Sequence, residues 1–394
     1  MKTIRILLLT LSLGGFAACE NNLDETPESS FIWNELNPPK YSFKRNGISS
    51  VDYKECEFLA SPINTIYESY LRHARLTNQS QYDLMTDYYE DGLYGIAPKD
   101  EVATSTCCKD YRPAALADLD FYIDETRRIS GGYAPSASSV RNREAIEGET
   151  GFIGNSITDR NLIFVNEKGL AVAEIWRNYI NGAIYLDKIL NVHLEESLLA
   201  DTNIRNAHQN VVLPPGRNYT ILEHHWDLAY GYYKSFWQKY AQADGLLVMK
   251  DSHRTIFEAF AYGRLAMKTF DYERMMNYRK VIVSELSRVA AIRTMYTLLG
   301  PNTLANLNED PRYAFSFVSQ AIGFMYALQF VSNDEGQLCY TRDGLLQLIS
   351  SMTEGRGLWN TDRMRAGTEH EGSLLHVANE IGKPFGITAE QIKR

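Results

Sequence analysis

The sequence lacks the motifs of several common catalytic sites. It has no His-Glu-x-x-His pair, no Gly-x-Ser-x-Gly turn and no phosphate-binding loop. It also has no Cys-x-x-Cys spacing, which disfavours a cysteine-ligated zinc site. Catalysis would need a metal-activated water with a general base, or a nucleophile with a base, and no pattern indicates either. We therefore expect a non-catalytic protein.

Runs of basic residues are also missing. Beyond the N-terminal residues, no apolar stretch approaches the length of a membrane span. The chain has 40 basic and 49 acidic residues. Residues 1–18 contain two basic residues and no acidic one, so the remainder has 38 against 49, a net charge of −11. Such an acidic chain is a poor nucleic-acid binder, and we expect no nucleic-acid partner.

The N-terminus has the pattern of an export signal. Lys2 and Arg5 precede the apolar residues 6–13, a run much shorter than the roughly 20 residues of a membrane span. Small residues then lead to Cys19, and residues 16–19 resemble a bacterial lipobox. We predict a lipoprotein signal peptide over residues 1–18 and lipidation of Cys19, which would hold the protein on a membrane. The alternative is an ordinary signal peptide with an incidental cysteine.

Residues 19–40 are predicted to be a flexible tether, because the start of this segment is acidic and has few core-forming residues. Acidic residues just after the lipidated cysteine resemble the surface-export signals of Bacteroidota lipoproteins. That resemblance implies an exported protein, anchored by lipid in the outer membrane and facing the periplasm or the cell surface.

Four more cysteines follow, namely Cys56, Cys107, Cys108 and Cys339. An exported protein can form disulfides. Adjacent cysteines rarely bond to each other, so Cys107 or Cys108 could bridge to Cys56 or Cys339. The connectivity stays open.

Residues 41–394 are predicted to form an all-α multi-helix bundle that begins with a small β-hairpin. The hairpin is expected in residues 41–53, around Asn46-Gly47, because both residues tolerate positive φ. A loop at residues 131–154, rich in Gly and Ser, would separate two helical halves. Helical spacing of apolar residues is found in residues 59–75, 82–89, 114–129, 167–190, 221–233, 254–270, 272–299, 312–330, 343–352, 373–381 and 388–393.

The segment 221–233 concentrates groups that could bind a cation. Thr220 is its expected N-cap. His224 and Asp227, three positions apart, share one helix face, and the sequence predicts them to be a pair of ligands. Glu223 and His225 are expected on other faces, so further ligands would come from other helices.

Glu174 and Glu285 are the predicted further metal or ligand-binding residues, because both lie in otherwise apolar helices. Trp226, Tyr230 and Arg264 are candidates for a ligand cleft. The alternative is that His224 forms a hydrogen bond within the bundle, that Asp227 pairs with an arginine such as Arg264, and that the aromatic rings belong to the core.

Four segments, 41–52, 174–187, 224–232 and 257–266, resemble a Bacteroidota lipoprotein family, domain of unknown function 4856. That family is similar to the imelysins, which are all-α envelope proteins associated with iron acquisition. Imelysins have a Gly-x-His-x-x-Glu motif thought to bind metal. Here His224-x-x-Asp227 matches only its His-x-x-acid part, and Leu222 replaces the glycine. The resemblance also implies His and Glu near Ala314 and Gln320, where this chain has neither.

The resemblance implies a function in metal acquisition, with a divalent or ferric ion bound near His224-x-x-Asp227 and an outer-membrane uptake receptor as partner. One alternative is a SusD-like lipoprotein that binds glycans or peptides, since the acidic residues 23–28 look like the start of such proteins. A metallopeptidase, an activity attached to the imelysin name, is a third hypothesis.

Overall fold

The computed structural model describes residues 31–131, 143–154, 162–243, 246–365 and 370–393. The predicted signal peptide, Cys19 and the first part of the tether therefore lie outside the described residues, as does the middle of the 131–154 loop.

The fold is all-α, as the sequence predicts. In the described parts of the chain, no helix is both long and apolar enough to cross a membrane. The α-helices are α1 Lys54–Thr65, α2 Gln79–Thr86, α3 Arg112–Ile129, α4 Val172–Asn181, α5 Glu196–Ala200, α6 Thr202–Gln209, α7 Ile221–Tyr232, α8 Gln238–Ala241, α9 Ser252–Lys268, α10 Tyr272–Leu299, α11 Pro301–Glu309, α12 Ala314–Ala327, α13 Arg342–Thr353, α14 Thr361–Arg365, α15 Leu374–Gly382 and α16 Ala389–Lys393.

Several helices change their winding instead of ending. The π-helical continuations are Ile66–Leu71 after α1, Asp87–Asp91 after α2, Gly182–His193 after α4 and Tyr233–Trp237 after α7. Short 3-10 turns occupy Leu247–Met249, Pro311–Tyr313, Leu328–Phe330, Gly357–Trp359 and Lys383–Phe385. The apolar spacing in residues 167–190 therefore predicts helix correctly but not the change to the wider π winding, which is common at functional positions.

The predicted hairpin is present. Strands β1 (Lys44–Arg45) and β2 (Ile48–Ser49) pair antiparallel. Asn46 and Gly47 form the turn with φ of 51° and 76°, as a two-residue turn of this hand requires.

A second small sheet begins at the end of the predicted loop 131–154 and has its other strand beyond that loop. Strand β3 (Gly151–Ile153) pairs antiparallel with β4 (Ile163–Val165). Strands of three residues are too short to show an alternating pattern, which is why the sequence does not indicate them.

The core forms where helices pack pairwise, with α9 along α10 and α4 along α12. At Gly182 a Cβ would lie 1.9 Å from the Cβ of Ala327, so the glycine permits the close approach. Gly263 does the same for α9 against α7, since its Cβ would lie 2.1 Å from Trp226 Cζ2. The buried apolar side chains form one core in space, and its members come from positions between Phe31 and Ile392 of the chain.

Candidate functional site

Helix α7 begins with a complete capping box. Thr220 Oγ1 accepts a hydrogen bond from Glu223 N (3.4 Å), and Glu223 Oε2 accepts one from Thr220 N (2.7 Å). The expected N-cap is therefore confirmed. The box also fixes the direction of the Glu223 side chain at the start of the helix.

A buried ionic cluster lies on the inner face of α7. Arg264 Nη1 donates to Glu223 Oε1 (2.8 Å), and its Nε donates to Asp227 Oδ1 (3.2 Å). Arg45, from the hairpin, donates to both Glu223 oxygens at 2.7 and 2.8 Å. Tyr41 Oη donates to Asp227 Oδ1 (2.7 Å). Two guanidinium groups thus face two carboxylates, and the cluster joins the hairpin to α7 and α9.

Electrostatics favour the charged state of this cluster. Burial opposes ionisation of Glu223, but Arg264 and Arg45 outweigh it and hold the pKa of Glu223 below its usual value. Burial and the neighbouring Asp227 raise the pKa of Tyr41, so it remains a hydroxyl donor. Because the charges balance, we assign this cluster a structural role.

The expected orientation of Glu223 is wrong. It was expected on a face away from Asp227, yet the two residues are four positions apart and both contact Arg264. The alternative pairing of Asp227 with Arg264 is present. His224 takes different partners, since its Nδ1 donates to Asp52 O (3.1 Å) and its ring stacks on Tyr219 at 4.2 Å.

His225 belongs to a contact that the sequence does not indicate. Its Nδ1 lies 3.0 Å from Nδ1 of His193, in the π-helical segment after α4. Burial, with His224 nearby, lowers the pKa of His225 to about 4, and burial also lowers the pKa of His193. Both rings are therefore neutral near pH 7, and one donates to the other.

Trp226 and Tyr230 lie in the packed interior. Trp226 is fully buried and donates from Nε1 to Phe260 O (2.8 Å). Tyr230 stacks on Tyr41 with ring centroids 3.9 Å apart. In this structure both rings, like Arg264, pack within the core.

The four predicted metal ligands do not form one donor set. Glu285 accepts two hydrogen bonds from Arg288, at 2.9 and 2.6 Å. Glu174 accepts one from the Tyr67 hydroxyl. Within the ranges that the structure describes, no group of three His, Cys, Asp or Glu side chains could hold a metal ion. A metal shared by His224, Asp227, Glu174 and Glu285 does not fit this arrangement.

Glu174 instead lines a cleft of about 400 Å³, formed mainly by the start of α4, the start of α12 and the π-helical segment after α1. Its polar lining residues are Tyr67, Arg72, Glu174, Arg177, Asn306, Tyr313, Ser316 and Gln320. The volume lies in the range of small-molecule sites. Gln320, one of the two positions at which the imelysin resemblance implies a His or Glu, lies in this wall, whereas Ala314 is fully buried.

Glu174 meets two opposing influences in this cleft. Burial raises the pKa of Glu174, although Tyr67, Arg177 and Arg72 favour its charged form. The Arg177 guanidinium carbon lies 4.3 Å from the centre of the Tyr67 ring. The cleft therefore combines one carboxyl group with two cations.

Further cations surround Tyr240, beside this cleft. Arg293 Cζ lies 4.6 Å and Lys239 Nζ 4.9 Å from the centre of the Tyr240 ring. Burial, then the charges of Arg177 and Arg293, lower the pKa of Lys239 to about 8. Phe324 links the two places, since its ring contacts Tyr240 at 5.6 Å and it lies one helical turn after Gln320.

None of these three cations lies within ion-pair distance of a carboxylate in the described parts of the chain, although the charge of Arg177 acts on Glu174. Among the ion pairs of the residues that the structure describes, none involves Arg177, Lys239 or Arg293. The buried Nε of Arg293 makes no hydrogen bond there either. The sequence does not indicate this cluster, because its members come from three separate helices and none belongs to a recognisable motif.

The comparisons with known proteins give one family. The model described as domain of unknown function (DUF4856) matches residues 38–388. No curated protein and no solved structure shows a significant match.

Proposed function

The chain belongs to the DUF4856 family, and from this premise we propose that it is a non-catalytic, imelysin-like envelope lipoprotein that captures an anionic, metal-bearing ligand. The ligand would be a small carboxylate chelate of iron. The lipid on Cys19 would keep the protein at the outer membrane, where an uptake receptor would be its partner. Exchange of Cys19 for Ala should release the protein from the membrane fraction.

The cluster of Arg177, Lys239 and Arg293 is the observation that carries this proposal. Burial, and then repulsion from Arg177 and Arg293, lower the pKa of Lys239. An anion between them would remove the repulsion. Carboxylates match the planar guanidinium fork in two-point hydrogen bonds, so a ligand with several carboxylates suits the site better than a bare cation.

The cleft around Glu174 limits the size and shape of the proposed ligand. Its 400 Å³ suits a ligand of about the size of a chelated metal ion. Burial raises the pKa of Glu174, which weakens the preference of this carboxyl group for the charged form beside an anionic ligand. Metal acquisition, which the imelysin resemblance implies, is then served by binding the chelate instead of coordinating its metal.

Titration calorimetry with citrate, ferric citrate and Zn²⁺ would test the proposal. We expect ferric citrate to bind, and Arg293→Gln to weaken binding roughly 10- to 100-fold. That range follows from the loss of a charged hydrogen bond worth about 1.5–3 kcal/mol. Arg75→Gln is the matched control, because Arg75 is exposed and does not belong to the cleft lining.

Two results would contradict the proposal. One is equal binding by wild type and Arg293→Gln. The other is that the wild type binds Zn²⁺ but not citrate, and that a His224→Ala, Asp227→Ala double variant no longer binds Zn²⁺. That result would indicate a metal site on α7.

The SusD-like alternative has one supporting observation. Phe58 and Tyr94 form an exposed ring pair with centroids 4.6 Å apart, and Tyr94 is 78% exposed. Such rings can stack on sugars. Binding of a neutral oligosaccharide that is lost in Tyr94→Ala would favour this alternative.

A further inference from the structure

The structure brings Cys107 and Cys108 together and leaves all four described cysteines as free thiols. Their Sγ atoms lie 3.4 Å apart. Cys56 instead contacts Leu228 O from within the core (3.6 Å), and Cys339 is a half-buried thiol. A bridge from this pair to Cys56 or Cys339, which the sequence leaves open, is therefore absent from the structure.

The segment that holds the pair is fixed to the π-helical segment after α4. Ala103 N donates to Ala183 O (2.9 Å), and Ser105 N donates to Asp187 Oδ2 (3.0 Å). The Ser105 hydroxyl donates to the other oxygen of Asp187. Asp187 is fully buried, so this anchor is protected from water. The two thiols are thus held in place by backbone hydrogen bonds on a packed helix.

The two thiols differ in accessibility and acidity. Cys107 is exposed and Cys108 is fully buried. Because the Ser105 hydroxyl proton is given to Asp187, the Cys108 thiol is the donor available to a Cys107 thiolate. This hydrogen bond lowers the pKa of Cys107 to about 7 and, together with burial, raises the pKa of Cys108. An accessible nucleophile therefore has a second sulfur directly behind it.

We propose that Cys107 and Cys108 form a thiol–disulfide exchange site that reacts with small disulfides. The Cys107 thiolate attacks one sulfur of the small disulfide, whose S–S bond breaks and releases one thiolate. Cys108 then loses its proton and attacks Cys107 Sγ, releasing the second thiol. Two protein thiols are oxidised to one disulfide, and the small disulfide is reduced to two thiols.

The geometry also implies that the product is readily reversed. Bond formation needs the sulfur atoms to close from 3.4 Å to about 2.05 Å. Linking adjacent residues strains the ring, and strained, exposed disulfides are the easily reduced ones. Asp187, which anchors the cysteine segment, and His193 both belong to the π-helical segment after α4. The disulfide would therefore form beside the segment that carries His193.

Intact mass spectrometry after incubation with oxidised glutathione tests the proposal. The wild type should lose the mass of two hydrogen atoms, peptide mapping should link Cys107 to Cys108, and dithiothreitol should restore both thiols. Cys108→Ser should stop at one glutathionyl group on Cys107, and Cys107→Ser should stay unmodified at this pair. Cys339→Ser is the matched control and should behave as the wild type does.

Alkylation gives a second, independent measurement. Burial raises the pKa of Cys339 to about 11, so at neutral pH iodoacetamide should modify Cys107 at least about 10-fold faster than Cys339. A stable glutathionyl group on wild-type Cys107, a bridge to Cys56 or Cys339, or equal alkylation rates would overturn the proposal. Unchanged circular dichroism of each variant shows that it has folded.

Discussion

Replacing Arg264 by Met should destabilise the protein strongly. The change removes the guanidinium that contacts Glu223 at 2.8 Å and Asp227 at 3.2 Å, while it keeps much of the side-chain volume. Glu223 would retain Arg45, whereas Asp227 would lose its ion pair with Arg264 and keep the hydrogen bond from the Tyr41 hydroxyl. A fully buried carboxylate would thus lose this ion pair.

The expected loss of unfolding free energy is about 3–5 kcal/mol, the cost of breaking a buried ion pair on one side. The stability of the wild type itself should fall as the pH falls. The pKa of Glu223 is lowered in the folded state, so its stabilisation is complete above the unfolded pKa and is lost as the pH falls through the folded one.

Urea unfolding followed by tryptophan fluorescence and far-ultraviolet circular dichroism would measure the loss at pH 7. Arg128→Met is the matched control, since Arg128 pairs at the surface with Glu125 and Glu167 and should cost no more than about 1 kcal/mol. Adding Asp227→Asn to Arg264→Met should recover part of the loss. Equal effects of the Arg264 and Arg128 changes, or no recovery by Asn, would refute the reasoning.

Two further changes probe packing and protonation. Gly182→Ala would place a Cβ 1.9 Å from the Cβ of Ala327 and should cost about 1–3 kcal/mol in urea unfolding. Adding Ala327→Gly should restore part of it, and full tolerance of the single change would contradict the close contact. The pKa of His225 is about 4 in the folded state, so stability should fall between about pH 6.5 and pH 4, by on the order of 2 kcal/mol. In His225→Gln the thermal unfolding midpoint should depend less on pH over that range. An unchanged pH dependence would refute the contribution of His225.

Much of the architecture follows from local pattern. The boundaries of α10, residues 272–299, match the apolar spacing to the residue, because Asp271 caps the start and Gly300 with Pro301 ends the helix. Asn46-Gly47 predicts the hairpin for a similar reason, since few other dipeptides accept two positive φ values. The helices α5, α6, α8, α11 and α14 are missed, since their four to nine residues span at most two to three turns and show little of a 3.6-residue period.

The site is less predictable than the helices. Glu174 is selected from the sequence as a polar group in an apolar helix, and it does line the cleft. Its neighbours there are not selected, because Arg177 and Gln320 resemble any other polar surface residue until α4 and α12 pack together. The prediction of a metal near His224 and Asp227 depends on helix geometry and on the imelysin resemblance, and neither can show that Arg264 approaches Asp227 from α9.

The sequence by itself determines the all-α class, the hairpin, the cap at Thr220 and the membership of the DUF4856 family. These depend on residues close together in the chain or on matches along its length. Tertiary structure alone decides which side chains meet. It pairs Asp227 with Arg264 and His225 with His193. It also brings Arg177 close enough to Lys239 for its charge to act on the lysine, as the charge of Arg293 does. The physical reason is that a helix repeat sets which face a residue occupies, whereas the packing of distant helices sets what that face contacts.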